Sequence, residues 1–205
     1  MGMLKRAVLS LSGSRLRRLA GDRRGVAALE FALIAPLLLS MYFLTMEVGQ
    51  GIEANKKVGR SASMVADLVT QQQTTTKAEL NAILDIGGAL LQPYNRSKPT
   101  IIITAIEVTD ETTPKVQVVW SRKLVNGAYG VDQAKGTITT IPEALKIKGS
   151  FLVRVETSLM YYPVITWAAG DKGTLGLTAA FDKLDMNESY YLRPRMTQSI
   201  SCSDC

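Results

Sequence analysis

Gly21 to Gln50 reads GDRRGVAALEFALIAPLLLSMYFLTMEVGQ, and this stretch decides the fold. It joins a basic prefix to a long apolar run, with Glu30 inside the first apolar turn and Glu47 at the far edge. The sixteen residues between those two acids carry no charge, and Val26 to Met46 is twenty-one residues with one charge. A helix that crosses a bilayer needs about 20 mostly apolar residues. The run therefore predicts a membrane span over about residues 26–46. A secretory h-region is typically about 7–15 residues and ends in a small-x-small cleavage site; this run is longer and has no such site at its end.

Working outward, the charge is lopsided. The chain of 205 residues has a formal net charge of +6. Residues 1–25 hold seven basic side chains (Lys5, Arg6, Arg15, Arg17, Arg18, Arg23 and Arg24) against Asp22, so the prefix carries the whole excess. The rest of the chain balances seventeen basic residues with seventeen acidic ones, which leaves the body without a basic excess for nucleic acid, and none is expected as a partner. Basic residues immediately before a span stay cytoplasmic, so the chain after it lies on the far side of the membrane.

On the C-terminal side of the run, Val48, Ile52, Val58, Ala62, Val65 and Val69 recur at near-helical spacing. They extend the helix to about residue 70, with Pro36 as a kink point and Gly49, Gly51 and Gly59 as irregularities. QQQTTT (71–76) breaks it. Thr76 and Glu79 then have the spacing of a capping box, and Leu80, Ile83, Leu84, Leu90 and Leu91 form an apolar stripe up to Pro93, which Gly87-Gly88 would end early.

From Thr100 the period falls to two. TIIITAIEV (100–108) and KVQVVWSRK (115–123) predict a β-hairpin with Trp120 as an anchor, and Asn126-Gly127 with Tyr129-Gly130 marks a loop. A very short helix is expected from Pro142. SFLVRVETSLMYY (150–162) is the longest strand, with Phe151, Val153, Val155, Thr157, Leu159 and Tyr161 on one face and Arg154 and Glu156 on the other. Gly170, Gly173 and Gly176 mark a loop, LGLTAAFDKLDM (175–186) reads as strand or helix, and Tyr190-Tyr191-Leu192 as a final strand. The expected class is α+β: a long N-terminal hydrophobic helix, then a small periplasmic α+β domain with a mainly antiparallel sheet. Its segments are a basic leader (1–25), the long helix (26–70), a linker with a short helix (71–93) and a β-rich domain with a C-terminal Cys pair (94–205).

Chemistry is sparse. No histidine is present, which removes Ser-His-Asp and Cys-His arrangements and the commonest metal ligand. No enzyme activity, catalytic residue, metal or cofactor is expected. Asp182, Asp185 and Glu188 would share a helical face, as a solvated edge rather than a metal site. Asn95-Arg96-Ser97 and Asn187-Glu188-Ser189 fit the glycosylation tripeptide, which is common by chance. Cys202 and Cys205 are either a small disulfide loop, as suits an oxidising compartment, or two surface thiols. Arg193 and Arg195 either dock on a partner's carboxylates or solubilise the tail. Glu30 either reaches headgroup water or meets a cationic partner, since a carboxylate within a span is costly.

RRGVAALEFALIAPLLL resembles the processing region of type IV pilin-like proteins, in the form carried by the TadE-like family of pseudopilins, or minor pilins, of the tight-adherence (Tad, or Flp) pilus. Gly25, Ala28, Glu30, Phe31 and Pro36 stand where that family has its G-x-x-A-x-E-F site and following proline. The chain is too short for the adhesion domain of the longer TadG-like relatives and lacks their D-x-S-x-S motif. Tyr161-Tyr162-Pro163 and Arg193-Pro194-Arg195, with cysteine in the tail, match the family loosely in order.

The resemblance implies cleavage between Gly25 and Val26 by a prepilin peptidase, with Glu30 setting the register of the helix against a neighbour's N-terminus. Phe31 and Pro36 would belong to the same assembly segment. Implied partners are the peptidase, other Tad minor pilins, inner-membrane assembly proteins, the major Flp-type pilin and membrane lipid. The implied place is the bacterial inner membrane, single-pass, with the N-terminus cytoplasmic and incorporation in the pilus open. Pilus assembly, adhesion and secretion are the implied processes. The competing expectation is an uncleaved bitopic protein whose outer domain scaffolds a secretion or pilus complex.

Overall fold

Apolar residues on every side, then an apolar stripe on one side only, keep one helix going through a proline and three glycines. The computed structural model describes residues 25–163 and 183–205, and its first element, α1, is Val26–Thr70. The basic leader up to Arg24, the Gly170–Gly176 loop and Asp182 lie outside the described residues. Pro36 removes one backbone donor from α1 without ending it. Ser40 and Thr45 donate their hydroxyls to the carbonyls of Leu37 and Met41 (both 2.8 Å). Both hydroxyls are thus satisfied within the helix, as an apolar surrounding requires.

The chain forms two units, 1–46 and 47–205. In the first, the apolar run is exposed, with no cover among the described residues: Leu29, Phe31 and Leu33 are 64%, 71% and 72% exposed. In the second, the buried stripe of α1 is Ala54, Val58, Ser61, Ala62, Val65, Ala66, Val69 and Thr70. Val48 and Ile52, read as part of that stripe, are exposed instead. Gly51 and Gly59 face the sheet, where a β-carbon would lie 3.9 Å from Tyr161 and 3.8 Å from Glu188.

After the two-residue strand β1 (Thr74–Thr75), α2 covers Lys77–Leu90. Its start follows from the predicted box: the Thr76 hydroxyl accepts from the Glu79 N–H (3.3 Å), and the Glu79 carboxylate accepts from the Thr76 N–H (2.8 Å). Gly87-Gly88 does not end this helix early. Gly87 sits where α2 meets α1, and a β-carbon there would come within 2.6 Å of Val65. The Ser61 hydroxyl donates to the Gly87 carbonyl (2.9 Å). The glycine is a closest-approach residue, which offsets its poor helix propensity.

The sheet holds β2 (Thr100–Val108), β3 (Val116–Val125), β4 (Ala128–Gly130), β5 (Phe151–Tyr161) and β6 (Leu184–Leu192) in the order β4-β3-β2-β5-β6, every neighbouring pair antiparallel. The predicted hairpin is β2–β3. A register shift after Ala105 leaves Val119 without a partner opposite it. Asn126-Gly127 is a tight turn rather than part of an open loop: both residues have positive φ (54° and 81°), the sign pattern of a two-residue hairpin turn, so Tyr129-Gly130 falls in β4. β6 begins at Leu184 and therefore settles the end of the ambiguous 175–186 stretch as strand; Asp185 and Glu188, three apart, do not share its face. A short 3₁₀ turn, Glu143–Leu145, follows Pro142.

One sheet face is covered by α1 and α2. Val65, Val69, Leu80 and Leu84 pack there with Ile101, Ile103, Trp120, Phe151, Val153 and Val155. Further along β5, Leu159 and Tyr161 close over Ala54, Val58, Leu91 and Met186. The other face carries a smaller cluster, Ile106, Val108, Val116 and Leu152, under Ile141 and Leu145. Arg154 lies on this second face as read, but it is only 6% exposed. Its Nη1 donates to the Thr139 hydroxyl and the Thr140 carbonyl (both 3.3 Å). Its Nε lies 3.2 Å from Glu156, close enough to pair in charge yet not aligned as a hydrogen bond.

The C-terminal tail is built into the domain. Strand β7 (Ser201–Cys202) pairs in parallel with β1. Ile200 is fully buried, and its carbonyl accepts from the Trp120 indole N–H (2.8 Å).

Candidate functional site

The residues singled out for processing and assembly lie at the start of α1. Gly25 and Val26 stand at the helix entry, and Glu30, Phe31 and Pro36 follow within three turns. Nothing among the described residues comes within 4 Å of the position a β-carbon would take on Gly25, so packing does not demand glycine there. Glu30 is exposed and makes no ion pair or side-chain hydrogen bond among the described residues. Phe31 is exposed with it. This segment combines a continuous apolar surface with one carboxylate, Glu30, that has no partner among the described residues. Such a surface needs lipid or other subunits around it.

The second group lies in the tail. Cys202 and Cys205 are joined as a disulfide, with Cα atoms 5.5 Å apart. Asp204 stands beside the two sulfurs, but sulfurs bonded to each other are not the thiolates a soft metal takes. The Asp204 carboxylate instead accepts from the Lys77 N–H (2.8 Å), on the first turn of α2. Arg195 reaches α1: its guanidinium lies 2.6 Å from Asp67, and its N–H donates to the Thr70 carbonyl (3.0 Å). Arg193 is exposed. The structure thus separates the two arginines, giving Arg195 a partner within its own chain.

A third group was not read from sequence. Beyond the apolar run, acids on α1 meet tyrosines of the sheet domain. Tyr161 donates its hydroxyl to Glu47 (2.8 Å) and Tyr94 donates to Glu53 (3.0 Å), with the two rings 6.1 Å apart. Burial first, then the bond to Glu47 and its charge, push the Tyr161 phenol well above the ordinary value of 10. Tyr94 is raised for the same reasons, with Glu53 in the place of Glu47. Lys57 places its ammonium 5.4 Å from the centre of the Tyr94 ring and donates to the Gln92 carbonyl (2.5 Å). The spacing of Glu47, Glu53 and Lys57 along one helix was visible in the sequence, but no local signal pairs them with tyrosines 41 and 114 residues away.

The helix is apolar all round in its first half and built into the core of an α+β domain in its second, and it is the one candidate membrane span among the described residues. A family model described as TadE-like protein matches residues 25–67. That match is to the family the N-terminal motif resembles, and it ends within α1, so the sheet domain lies outside it. Over residues 25–67, less than half of its length, the chain is similar to TadE-like proteins. No curated protein and no solved structure matches the chain.

Proposed function

We propose that this chain is a minor pilin or pseudopilin of a Tad-type (Flp) pilus, cut between Gly25 and Val26 by a prepilin peptidase. It supports pilus assembly, and through it adherence or secretion. The observation that carries the reading is the start of α1: an uncovered apolar helix whose only carboxylate, Glu30, has no partner among the described residues. In an assembly the apolar surface packs against lipid or neighbouring helices, and Glu30 meets the amino group that cleavage creates at Val26 of an adjacent subunit. Burial in a low-dielectric setting makes such a pair strong and strict in geometry. The basic leader holds the N-terminus in the cytoplasm, with the sheet domain in the periplasm, where the Cys202–Cys205 disulfide is stable. The partners of this reading are the peptidase, other minor pilins, inner-membrane assembly proteins and the major Flp-type pilin. Exposed Arg193 remains the basic side chain of the tail offered to one of them.

Co-expression with and without the prepilin peptidase, followed by intact mass, tests the first step. Loss of residues 1–25 only with the peptidase is expected. A chain that keeps its leader in the presence of an active peptidase overturns the reading in favour of the uncleaved bitopic scaffold. Glu30→Ala tests the second step. It should be cut normally, unfold at the wild-type midpoint and fail to enter the pilus or its base; normal incorporation removes the role given to Glu30.

A further inference from the structure

Two exposed apolar residues follow the uncharged run of α1, and two exposed cations follow them. Val48 and Ile52 are 52% and 54% exposed, and exposed Lys56 and Arg60 come four and eight residues after Ile52. At 1.5 Å per residue the sixteen uncharged residues between Glu30 and Glu47 cover about 24 Å, short of a hydrocarbon core of roughly 30 Å. Counted from Phe31, such a core takes about 20 helical residues and ends between Val48 and Ile52. We propose that the far edge of the bilayer lies at Ile52 rather than at Met46, and that Lys56 and Arg60 bind the phosphates of anionic lipid headgroups there.

The charges on this part of α1 sort into those turned to the sheet domain and those turned away. Glu47 accepts from the Tyr161 hydroxyl (2.8 Å), and Glu53, about 100° round the helix from Ile52, accepts from Tyr94 (3.0 Å). Lys57 donates to the Gln92 carbonyl (2.5 Å). Lys56 and Arg60 differ: neither side chain makes an ion pair or a hydrogen bond among the described residues, and the buried stripe that includes Ala54, Val58 and Val65 lies on the other side of the helix. Side chains on a helix lean toward its N-terminus, which here carries both cations back toward the apolar run. Their aliphatic stems lie along apolar surface while the charged heads reach phosphate. Arg60 brings a planar fork that fits two phosphate oxygens, and Lys56 a point charge. Two cations with no acid paired to them favour an anionic headgroup over a zwitterionic one.

This contact needs the membrane span but not the pilus role, so the pilus reading can fail without it. The test uses the full chain, its disulfide intact, in nanodiscs of equal phosphatidylglycerol and phosphatidylcholine. Nitroxide labels on Leu38→Cys, Ile52→Cys and Glu143→Cys are read for relaxation by oxygen, which concentrates in lipid, and by a nickel chelate, which stays in water. Leu38 lies within the apolar run, and the Glu143 side chain is 86% exposed on the sheet domain. The label at 52 should favour oxygen as the label at 38 does, and the label at 143 should favour nickel. A label at 52 as open to nickel as that at 143 overturns the proposal, with the span left standing if the label at 38 is lipid-like; a water-like label at 38 overturns both. The headgroup contact is read by release into mild detergent and native mass spectrometry. With Lys56→Gln and Arg60→Gln made together, retained phosphatidylglycerol should fall several-fold, while Lys56→Arg, which keeps the charge, should hold the wild-type amount. The basic leader attracts the same lipid in every variant, so the difference belongs to Lys56 and Arg60. Unchanged retention in the doubly neutral variant overturns the proposal.

Discussion

Val26–Met46 and Glu47–Thr70 belong to one helix, yet the first part leaves Leu29, Phe31 and Leu33 more than 60% exposed while the second buries Ala54, Val58, Val65 and Val69 completely. Hydrophobicity alone does not account for the contrast, because the richer half is the uncovered one. Pattern accounts for it. The first part is apolar around its whole circumference, as a helix surrounded by lipid or other helices must be. The second has one apolar stripe of small residues, so that the sheet can come close, as it does at Gly51 and Gly59. One half therefore spends its apolar surface on folding and the other holds it for the surroundings.

The largest expected effect breaks or upholds that contrast directly. Leu84 is fully buried between α2 and the sheet, whereas Leu38 in the first part of α1 is 58% exposed. Leu84→Ala should destabilise the sheet domain by about 2–5 kcal/mol, the usual range for a buried leucine that leaves a cavity. Leu38→Ala should change it by less than about 0.5 kcal/mol, as for a surface site. Urea unfolding of the full chain in detergent, followed by tryptophan fluorescence, measures both. Equal losses in the two variants would mean that the first part of α1 is packed into the domain after all.

A smaller effect tests how the second part is joined to the sheet. The Tyr161 phenol is raised above 10 in the folded protein, by burial first and by Glu47 second. A phenol held protonated by the fold adds stability below its unfolded value and loses it as pH rises through and beyond about 10. Stability should therefore decline above about pH 10, and Tyr161→Phe should make that decline shallower. Tyr94 and Tyr129, raised in the same direction beside Glu53 and Asp85, leave a residual slope. Chemical unfolding at a series of alkaline pH values gives the comparison. An identical slope in the variant would show that Tyr161 ionises as freely in the folded chain as in the unfolded one.

What could be read from the sequence follows the range of the interactions involved. Thr76 and Glu79, Pro142 and the alternating residues of β5 act within a few positions, and the capping box, the 3₁₀ turn and the inward face of that strand were legible. Gly87 was misread because its reason lies on another helix, at Val65 and Ser61. The Asn126-Gly127 dipeptide carried a hairpin signal that reading it as a loop ignored. Val48 and Ile52 have the spacing of the stripe but no sheet to cover them, and periodicity cannot tell where a partner begins. Of the site residues, Gly25 and Glu30 were visible as a local motif. The tyrosine–glutamate contacts and the docked tail were not, since each joins residues far apart in the chain.

The smallest effect concerns that tail. Arg195 approaches Asp67 at 2.6 Å, but its side chain is 59% exposed and that of Asp67 36%. Water screens a pair so placed, and the expected worth is no more than about 1 kcal/mol. Arg195→Ala should cost that much in dilute buffer and nothing measurable in about 1 M salt, where the Debye length is roughly 3 Å. The Arg195 N–H bond to Thr70 survives the change, as does the burial of Ile200 beneath the Trp120 bond. Hydrogen exchange at Ser201 and Cys202 should accordingly stay near wild type. A loss well above 1 kcal/mol with fast exchange in β7 would make the ion pair the clasp of the tail and leave Ile200 a passenger; a loss confined to low salt assigns the clasp to the buried isoleucine and frees the Arg195 guanidinium to exchange Asp67 for another carboxylate at little cost.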